Sequence, residues 1–321
     1  MQEVSVLACM LPYNMYRSSI YILLILFFIC CPNINMGQTS LVEPNLKRPT
    51  YISPYYFGPN AFPIPDMLDG TVKEKLYVEF SSSYYKGFRG DKTNDIALKI
   101  NIPLFSNKVN FSVWVPFEWW NNSESNIDKC RLSEVKDKRL HKGNTIGDIY
   151  ISTDVQILNE KKNIIDCTIR AALKSASSYF YFLGRYYDSP GYFFDSSIGK
   201  TIPLSGNWLF NRLRIVGTIG FLSWQTDNGR QNDAIMYGGM LQLTILREFM
   251  ISCAIGGYSG WENSLKEGKD AHDRPMSLKT RAEWRNKDLS IFATVQHGIR
   301  DYPYNQFKIG VSYQFNILKT Q

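Results

Sequence analysis

The sequence predicts an all-β fold: a transmembrane antiparallel up-and-down β-barrel of about 12 strands, preceded by an N-terminal segment rich in proline and aromatic residues. Three observations predict this fold. Apolar and polar residues alternate with period two in twelve separate segments, short and long connections alternate along the chain, and charge is confined to one face of the strands. The net charge of +7 is too mild and too spread out to indicate binding of nucleic acid.

The alternation is clearest in residues 109–120, where Phe111, Val113 and Val115 are separated by Ser112 and Trp114. Most segments are close to the 9–11 residues that a tilted strand needs to cross a bilayer, and no segment after the leader approaches 18 consecutive apolar residues. The sixth and eighth segments are the least regular. The twelve predicted strands span 76–85, 95–103, 109–120, 148–157, 164–174, 192–202, 208–224, 234–245, 249–259, 277–284, 289–299 and 306–315.

The connections between these strands give an independent test. Every second connection is short, from 3 to 6 residues, and the others run from about 6 to 27 residues, the longest being 121–147. Membrane barrels place short turns on one rim and long loops on the other. A soluble β-sandwich has no reason to segregate its loops in this way.

The two faces of the strands differ in charge. One face is almost free of charge, as lipid requires, because Arg or Lys at the bilayer midplane costs roughly 2–4 kcal/mol. The opposite face carries so many charged groups that it cannot be the dry core of a sandwich. Lys308 belongs to this face. The predicted lumen-lining residues are Lys99, Trp114, Glu118, Asp148, Tyr150, Asp154, Arg170, Lys174, Arg214, Lys279, Arg281 and Glu283.

Two interpretations of the lumen charges stay open: a salt-bridge network that fills a narrow barrel, or a polar track for a hydrophilic solute. If the turn 158–163 sets the register, Asp148 lies opposite Lys174, and Asp154 is diagonal to Arg170 or Asp166. The lumen aromatics are likewise open to two interpretations, since Trp114, Trp120 and Tyr150 could stack on sugar rings or contact an N-terminal plug. The mixed charge argues against strong ion selectivity.

The N-terminus has the pattern of a secretory signal peptide, predicted for residues 1–37. Arg17 precedes twelve apolar residues, Ile20–Cys31, which are too few to span a bilayer. Translation is expected to start at Met15, and cleavage is expected after Gly37.

Residues 38–75 follow, with Pro49, Tyr51, Pro54 and Phe57 among their prolines and aromatics, and they show neither helical nor strand periodicity. This segment is either a plug folded into the barrel or a periplasmic tail packed on its rim. The barrel domain is predicted to span 76–321.

No residues predict a catalytic, metal or cofactor site. The three cysteines after the leader, Cys130, Cys167 and Cys253, are too few and too far apart for a disulfide framework. His297 has lipid-facing parity and no serine partner on its strand. The other histidines, His141 and His272 beside Asp270 and Asp273, lie in charged loops that we interpret as solvated. Arg89-Gly90-Asp91, in the first long loop, is a weak match to an exposed adhesion tripeptide.

The leader, the alternating strands and the final strand Gly310–Phe315 resemble outer-membrane β-barrel proteins of Gram-negative bacteria. A terminal Phe in such a strand resembles the signal recognised by the barrel-assembly machinery, although Asn316–Gln321 follow it here. The stretches 54–63 and 190–195, and Gln38 as first mature residue, resemble uncharacterised barrels of Bacteroidota with a plug-like N-terminal segment. An N-terminal segment before a barrel is also similar to the hatch of long-chain fatty-acid transporters, but no motif here carries over their binding residues.

The resemblance and the patterns together favour an outer-membrane, porin-like channel or gated uptake protein for small solutes, with no enzymatic activity and no cofactor. The alternative is a closed structural or surface-interaction barrel acting through its outer loops, and an outer-membrane hydrolase is the third and weakest hypothesis. The expected partners are outer-membrane lipid, the barrel-assembly machinery and a small-molecule solute, with no nucleic acid.

Overall fold

The computed structural model describes residues 54–104, 108–130, 132–133, 136–178, 185, 190–204, 209–226, 230–260 and 273–315. The predicted signal peptide 1–37, residues 38–53 of the predicted N-terminal segment and the extension 316–321 lie outside the described residues. The loop positions Asp270 and His272 do so as well.

The described residues form one antiparallel sheet that closes on itself, since β1 pairs with both β2 and β13. This confirms the predicted transmembrane-type, up-and-down barrel with twelve wall positions. The strands are β1 (Leu76–Gly87), β2 (Lys92–Leu104), β3 (Val109–Asn121), β4 (Lys142–Ile146), β5 (Tyr150–Leu158), β6 (Asp166–Lys174), β7 (Gly191–Pro203), β8 (Phe210–Thr226), β9 (Arg230–Ile245), β10 (Phe249–Gly260), β11 (Met276–Asn286), β12 (Leu289–Arg300) and β13 (Tyr304–Phe315).

One wall position is shared by two strands. Both β4 and β5 pair with β3, β4 through Phe117↔Ile146 and β5 through Trp114↔Tyr150. The prediction that residues 142–146 belong to the loop 121–147 is wrong, because they form the strand β4. The strand breaks at Gly147, whose N–H donates to the carbonyl of Pro116 at 2.9 Å. A Cβ on Gly147 would lie 2.9 Å from the Glu118 carboxylate, so a larger residue at this break would force Glu118 to shift.

The strands expose apolar side chains on the outside and bury polar ones inside. Ile219, Leu241 and Phe80 are 65%, 53% and 52% exposed on the outer face, whereas Glu118 and Ser197 are fully buried within the barrel. This alternation is the arrangement a lipid-embedded barrel requires. It also agrees with the predicted assignment of the two faces.

The three longest connections, after β3, β6 and β10, lie on one rim as predicted, but the alternation in length is incomplete, because the connections 88–91 and 301–303 on that rim are as short as the turns on the other. The rim that carries the long loops, called here the long-loop rim, includes the helix α1 (Glu124–Lys129) and a 3-10 turn at Lys138–Leu140. The opposite, short-turn rim includes Leu246 and Arg247, which adopt the left-handed backbone conformation typical of tight hairpins. No helix in the described ranges is long and apolar enough to cross a membrane.

The register between β5 and β6 differs from the predicted one. Lys174 lies opposite Tyr150 rather than Asp148, and Arg170 lies directly opposite Asp154. The cause is the connection, which runs from 159 to 165 and is accompanied by an irregularity between Gln156 and Leu158. The Asp148–Lys174 ion pair nevertheless forms on the diagonal, with 2.5 Å between Oδ2 and Nζ.

Candidate functional site in the barrel lumen

Residues 54–75, called here the luminal segment, lie inside the barrel and contact it from the long-loop rim to the short-turn rim. Apart from a 3-10 turn at Pro54–Tyr56, the segment has no regular secondary structure. A buried irregular backbone must find hydrogen-bond partners outside itself. Here many of those partners are side chains of the barrel wall.

At the long-loop rim the segment is held by Arg185. Its guanidinium donates to the carbonyl of Tyr56 and forms an ion pair with Asp91, and both side chains are 1% exposed. Asn126 of α1 donates to the same Asp91 carboxylate at 2.5 Å. Asn122 accepts from Arg185 at 3.0 Å. Three connections of the long-loop rim and the luminal segment therefore meet at one buried ion pair.

An apolar cluster lies next along the segment. Phe57 and Phe62 pack edge to face, 5.5 Å between ring centroids, and are surrounded by inward-facing residues of β6 to β10. A cavity of about 20 Å³ beside Phe57 and Phe62 has room for about one water molecule. This level of the lumen is therefore densely filled. The wall residues of the cluster are Ala172, Phe193, Leu222, Trp224, Ala234, Met236 and Tyr258.

Asn60 connects the segment to two carboxylates on the other side of the lumen. Asp95 of β2 and Glu118 of β3 are direct cross-strand neighbours and both are buried. The amide nitrogen Nδ2 of Asn60 donates to Glu118 at 2.6 Å and to Asp95 at 3.4 Å. Two buried carboxyl groups placed directly opposite each other are unfavourable, and the hydrogen bonds that Asn60 donates stabilise them there.

Asp66 connects nearly opposite walls of the barrel. Its carbonyl accepts from Arg170 of β6 at 2.7 Å, and its carboxylate forms an ion pair with Lys279 of β11. Four strands, β7 to β10, separate β6 from β11 on one side. The Asp66 side chain is 60% exposed although it lies inside the barrel, so the lumen at this level contains solvent-accessible space.

Towards the short-turn rim, wall side chains bind the backbone of the segment. Arg214 of β8 donates to the carbonyl of Asp69 at 2.7 and 2.9 Å and pairs with Asp166 at 2.8 Å. Gln156 of β5 accepts from the N–H of Val72 at 2.9 Å and donates to the carbonyl of Gly70 at 2.8 Å.

The segment ends in ion pairs at the short-turn rim itself. Nζ of Lys75 lies 2.6 Å from Asp288, in the turn between β11 and β12. Glu74 lies 3.4 Å from Lys161, in the connection between β5 and β6.

The twelve predicted lumen residues all occupy inward-facing positions, but they do not form a single site. Five lie at or next to contacts with the luminal segment: Glu118, Tyr150, Arg170, Arg214 and Lys279. The others pair within the wall, as Asp148 does with Lys174, and Arg281 with Glu283 at 2.8 Å. Asp154 is buried opposite Arg170, Trp114 packs on Tyr150 at 5.2 Å, and Lys99 lies opposite Glu79. Their role in a solute path stays a prediction.

Sequence reasoning missed the residues that hold the segment. Asn60 and Asp66 lie in a stretch without periodicity, and Arg185 lies in a long loop, so no pattern pointed to them. Wall residues such as Phe193 and Trp224 were missed because the strands around them are apolar on both faces. The irregularity of the sixth and eighth predicted strands was the signal that could have located this patch.

The remaining motifs have structural roles. Asp91 of Arg89-Gly90-Asp91, the weak match to an adhesion tripeptide, is buried and paired with Arg185, so its carboxylate is not exposed for binding. His297 projects outward with Nδ1 2.6 Å from Oδ1 of Asn305, and His141 lies 3.2 Å from Glu124. No group of three or more His, Cys, Asp or Glu among the described residues could hold a metal ion. Burial raises the pKa of the Cys130 thiol, at the end of α1, to about 11.

Comparison with solved structures shows the fold. An outer-membrane channel from Pseudomonas putida F1 aligns with a TM-score of 0.52 at 10% identity, covering 78% of this chain and 100% of that one. The NanC porin aligns with a TM-score of 0.45 at 12% identity, covering 74% and 100%. The transport unit of the autotransporter AIDA-I from Escherichia coli gives 0.43 at 11% identity, covering 78% and 93%.

The sequence matches no protein-family model and has no significant match among curated proteins. At such low identity, the first of these structures shows a shared fold alone. The fold is that of an outer-membrane β-barrel.

Proposed function

We propose that this protein is a plugged channel of the Gram-negative outer membrane that takes up small solutes, with the luminal segment as its plug. A signal peptide at 1–37 would direct it there. The closed barrel with an apolar outer face supports this proposal, and so does the shared fold with an outer-membrane channel.

The observation that carries the proposal is the nature of the contacts between segment and wall. Beyond Phe62 they are mainly hydrogen bonds and ion pairs, from Asp66 to Lys75, in a lumen where Asp66 is 60% exposed. Water can replace such contacts, because the net contribution of one hydrogen bond is only about 0.5–1.5 kcal/mol. The part of the segment from Asp66 to Lys75 can therefore leave the wall without exposing a dry core.

The first experiment is conductance in a planar bilayer, comparing the refolded mature chain with a version that lacks residues 38–72. Current in the truncated form alone supports a plugged channel. Current of equal size in both forms would contradict the plug. Heat-modifiable migration on a gel verifies that both forms are folded.

A reversible lock tests the same proposal in the full chain. A Cβ at Gly238 of β9 would lie 2.6 Å from Sδ of Met67, so Met67→Cys and Gly238→Cys place one thiol on the segment and one on the wall where the two contact each other. We expect rare openings of the reduced double variant to vanish on oxidation and return with reductant. The two single variants are the controls, and an oxidation effect in either one would contradict the assignment to the plug.

A surface-interaction role is the second candidate, favoured by the buried Arg185–Asp91 pair that ties the long loops together. Ordered loops suit binding to an external partner. Silence of both folded forms in the bilayer would favour this role over the channel.

A further inference from the structure

We propose that Lys99, Lys279 and Lys308, called here the lysine cradle, form a binding site for small organic carboxylates, which Asp66 occupies while the segment is docked. This inference rests on the proposed function and names the solute class of the channel. The luminal segment then acts as an internal mimic of the solute.

The cradle already holds a carboxylate in the structure. Asp66 forms an ion pair with Lys279, and Lys99 and Lys308 lie close enough to interact with it electrostatically. Together they hold the pKa of the Asp66 carboxyl well below its ordinary value, with Lys279 as the largest cause. The three lysines come from β2, β11 and β13, so the barrel wall and not the segment builds the site.

The cradle also has unused capacity. Lys308 pairs with Glu79 at 3.3 Å, and Lys99 lies directly opposite Glu79 in the pairing of β1 with β2, without a close ion pair of its own in the described part of the chain. The Asp66 side chain is 60% exposed, so the carboxylate can be reached from solvent within the lumen. A free carboxylate could therefore compete with Asp66 for the same ammonium groups.

Departure of the segment would leave this half of the lumen basic. The inward-facing acidic residues near the short-turn rim are Glu79, Asp154, Asp166, Asp195 and Glu283. The basic residues at the same levels are Lys99, Arg170, Arg214, Lys279, Arg281, Arg285 and Lys308. Residues 66–75 of the segment carry Asp66, Asp69 and Glu74 against Lys73 and Lys75, so they offset one charge of this basic surplus. The positive charge of the wall is therefore larger in the open state than in the docked one.

The test is chemical rescue of Asp66→Ala in the full mature chain. This substitution removes a carboxylate and leaves a space of the size of formate beside the lysines. We expect Asp66→Ala to lower the temperature at which the heat-modifiable folded band is lost. Sodium formate or acetate should restore it in a saturable manner, whereas sodium chloride at equal ionic strength and neutral formamide should not.

Two variants make the test specific. Asp69→Ala is the matched control, because the Asp69 carboxylate bonds Thr71 of the segment itself, at 2.6 Å, rather than a wall residue. Formate should not rescue it. Asp66→Ala combined with Lys279→Gln should need about tenfold more formate, the loss expected for one charged hydrogen-bond partner.

The outcomes separate this inference from the proposed function. Equal action of formate and chloride, or equal rescue of Asp69→Ala, would overturn the carboxylate site, whether or not the protein conducts. Rescue in a protein that stays silent in the bilayer would support the site while contradicting the channel. In a conducting protein, the open state should prefer acetate over potassium in its reversal potential, and Lys279→Gln should reduce this preference.

Discussion

Inside the barrel, the guanidinium of Arg170 on β6 donates a hydrogen bond of 2.7 Å to the backbone carbonyl of Asp66 in the luminal segment. The same arginine pairs with Asp195 of β7, also at 2.7 Å, so its orientation is fixed by the wall. Because the acceptor is a backbone group, the contact does not depend on the side chain at position 66. The wall thus fixes where the segment lies, and the segment's side chains add charge and shape.

The first prediction tests whether the buried Arg185–Asp91 ion pair holds the connections of the long-loop rim together. Arg185→Ala leaves the Asp91 carboxylate buried without its cation, which costs about 3–5 kcal/mol of unfolding free energy. Urea unfolding in lipid vesicles measures the loss. The exposed pair Arg139–Asp137 is the control, since Arg139→Ala should change the free energy of unfolding little. Equal losses in the two variants would contradict the structural role of Arg185.

Much of the barrel could be predicted from the sequence because period two is a local property. Each strand reveals its two faces within about ten residues, and lipid on one side makes the contrast in polarity strong. The predicted strand 289–299 differs from β12 by only one residue at its end. The broken wall position was missed because β4 has only five residues, Lys142–Ile146, and Gly147 interrupts the pattern before β5 begins.

Long-range contacts could not be predicted in the same way. The register of β5 against β6 depends on the irregularity at Gln156–Leu158, which leaves no mark in the alternation. The docking patch for Phe57 and Phe62 was hidden for the opposite reason. At Phe193 and Met236 both faces of the strand are apolar, so the pattern weakened where the lumen holds the segment.

A substitution at Asn60 tests whether added negative charge displaces the luminal segment from the barrel wall. Asn60→Asp places a third carboxylate beside Asp95 and Glu118, and like charges at this distance should displace the segment. We expect higher open probability in the bilayer and faster proteolysis between residues 54 and 75. Lowering the pH, which protonates the added carboxyl, should reverse both effects.

Asn60→Ala is the control for this substitution. It removes the same hydrogen bonds without adding charge, so its effect should be smaller and should not be reversed by acid. If Asn60→Ala opens the channel as strongly as Asn60→Asp does, repulsion is not the cause.

Gly199 of β7 tests how closely the segment approaches the wall. A Cβ there would lie 2.4 Å from the guanidinium of Arg214 and 2.7 Å from the carbonyl of Asp69. Gly199→Val should therefore separate Arg214 from Asp69 and cost about 1–3 kcal/mol through overpacking. Gly217 is the matched position on the lipid face of β8, where nothing lies within 4 Å of a Cβ. Gly217→Val should change the urea midpoint little, and an equal cost at both glycines would contradict the contact.

Ile219, near the centre of β8 and 65% exposed, tests the lipid belt. Ile219→Lys should lower the free energy of unfolding from lipid vesicles by about 2–4 kcal/mol, the cost of a lysine near the bilayer midplane. Ile164 is more exposed, at 80%, but lies in the connection between β5 and β6. Ile164→Lys should be close to neutral. A neutral Ile219→Lys would show that this face does not contact lipid.

The Cys130 thiol makes the stability of the long-loop rim depend on pH. Burial raises the pKa of its thiol to about 11, and Sγ donates a hydrogen bond of 3.3 Å to the carbonyl of Tyr56. An unfolded chain loses this proton near pH 8.5, whereas the folded protein keeps it until about pH 11. The stability that this thiol contributes is therefore complete below pH 8.5 and is lost as the pH rises towards 11.

A shift of this size corresponds to about 3 kcal/mol between pH 8 and pH 11. We expect the urea midpoint of the intact protein to fall over this range, and the fall to be smaller in Cys130→Ala. Cys253, which is exposed on the outer face of β10, is the control, because Cys253→Ala should leave the slope unchanged. Iodoacetamide should also modify Cys130 far more slowly in the folded protein than in the unfolded chain at pH 8. An identical pH slope in Cys130→Ala would show that other groups cause the loss of stability, and that the thiol beside Tyr56 does not contribute to closing this rim.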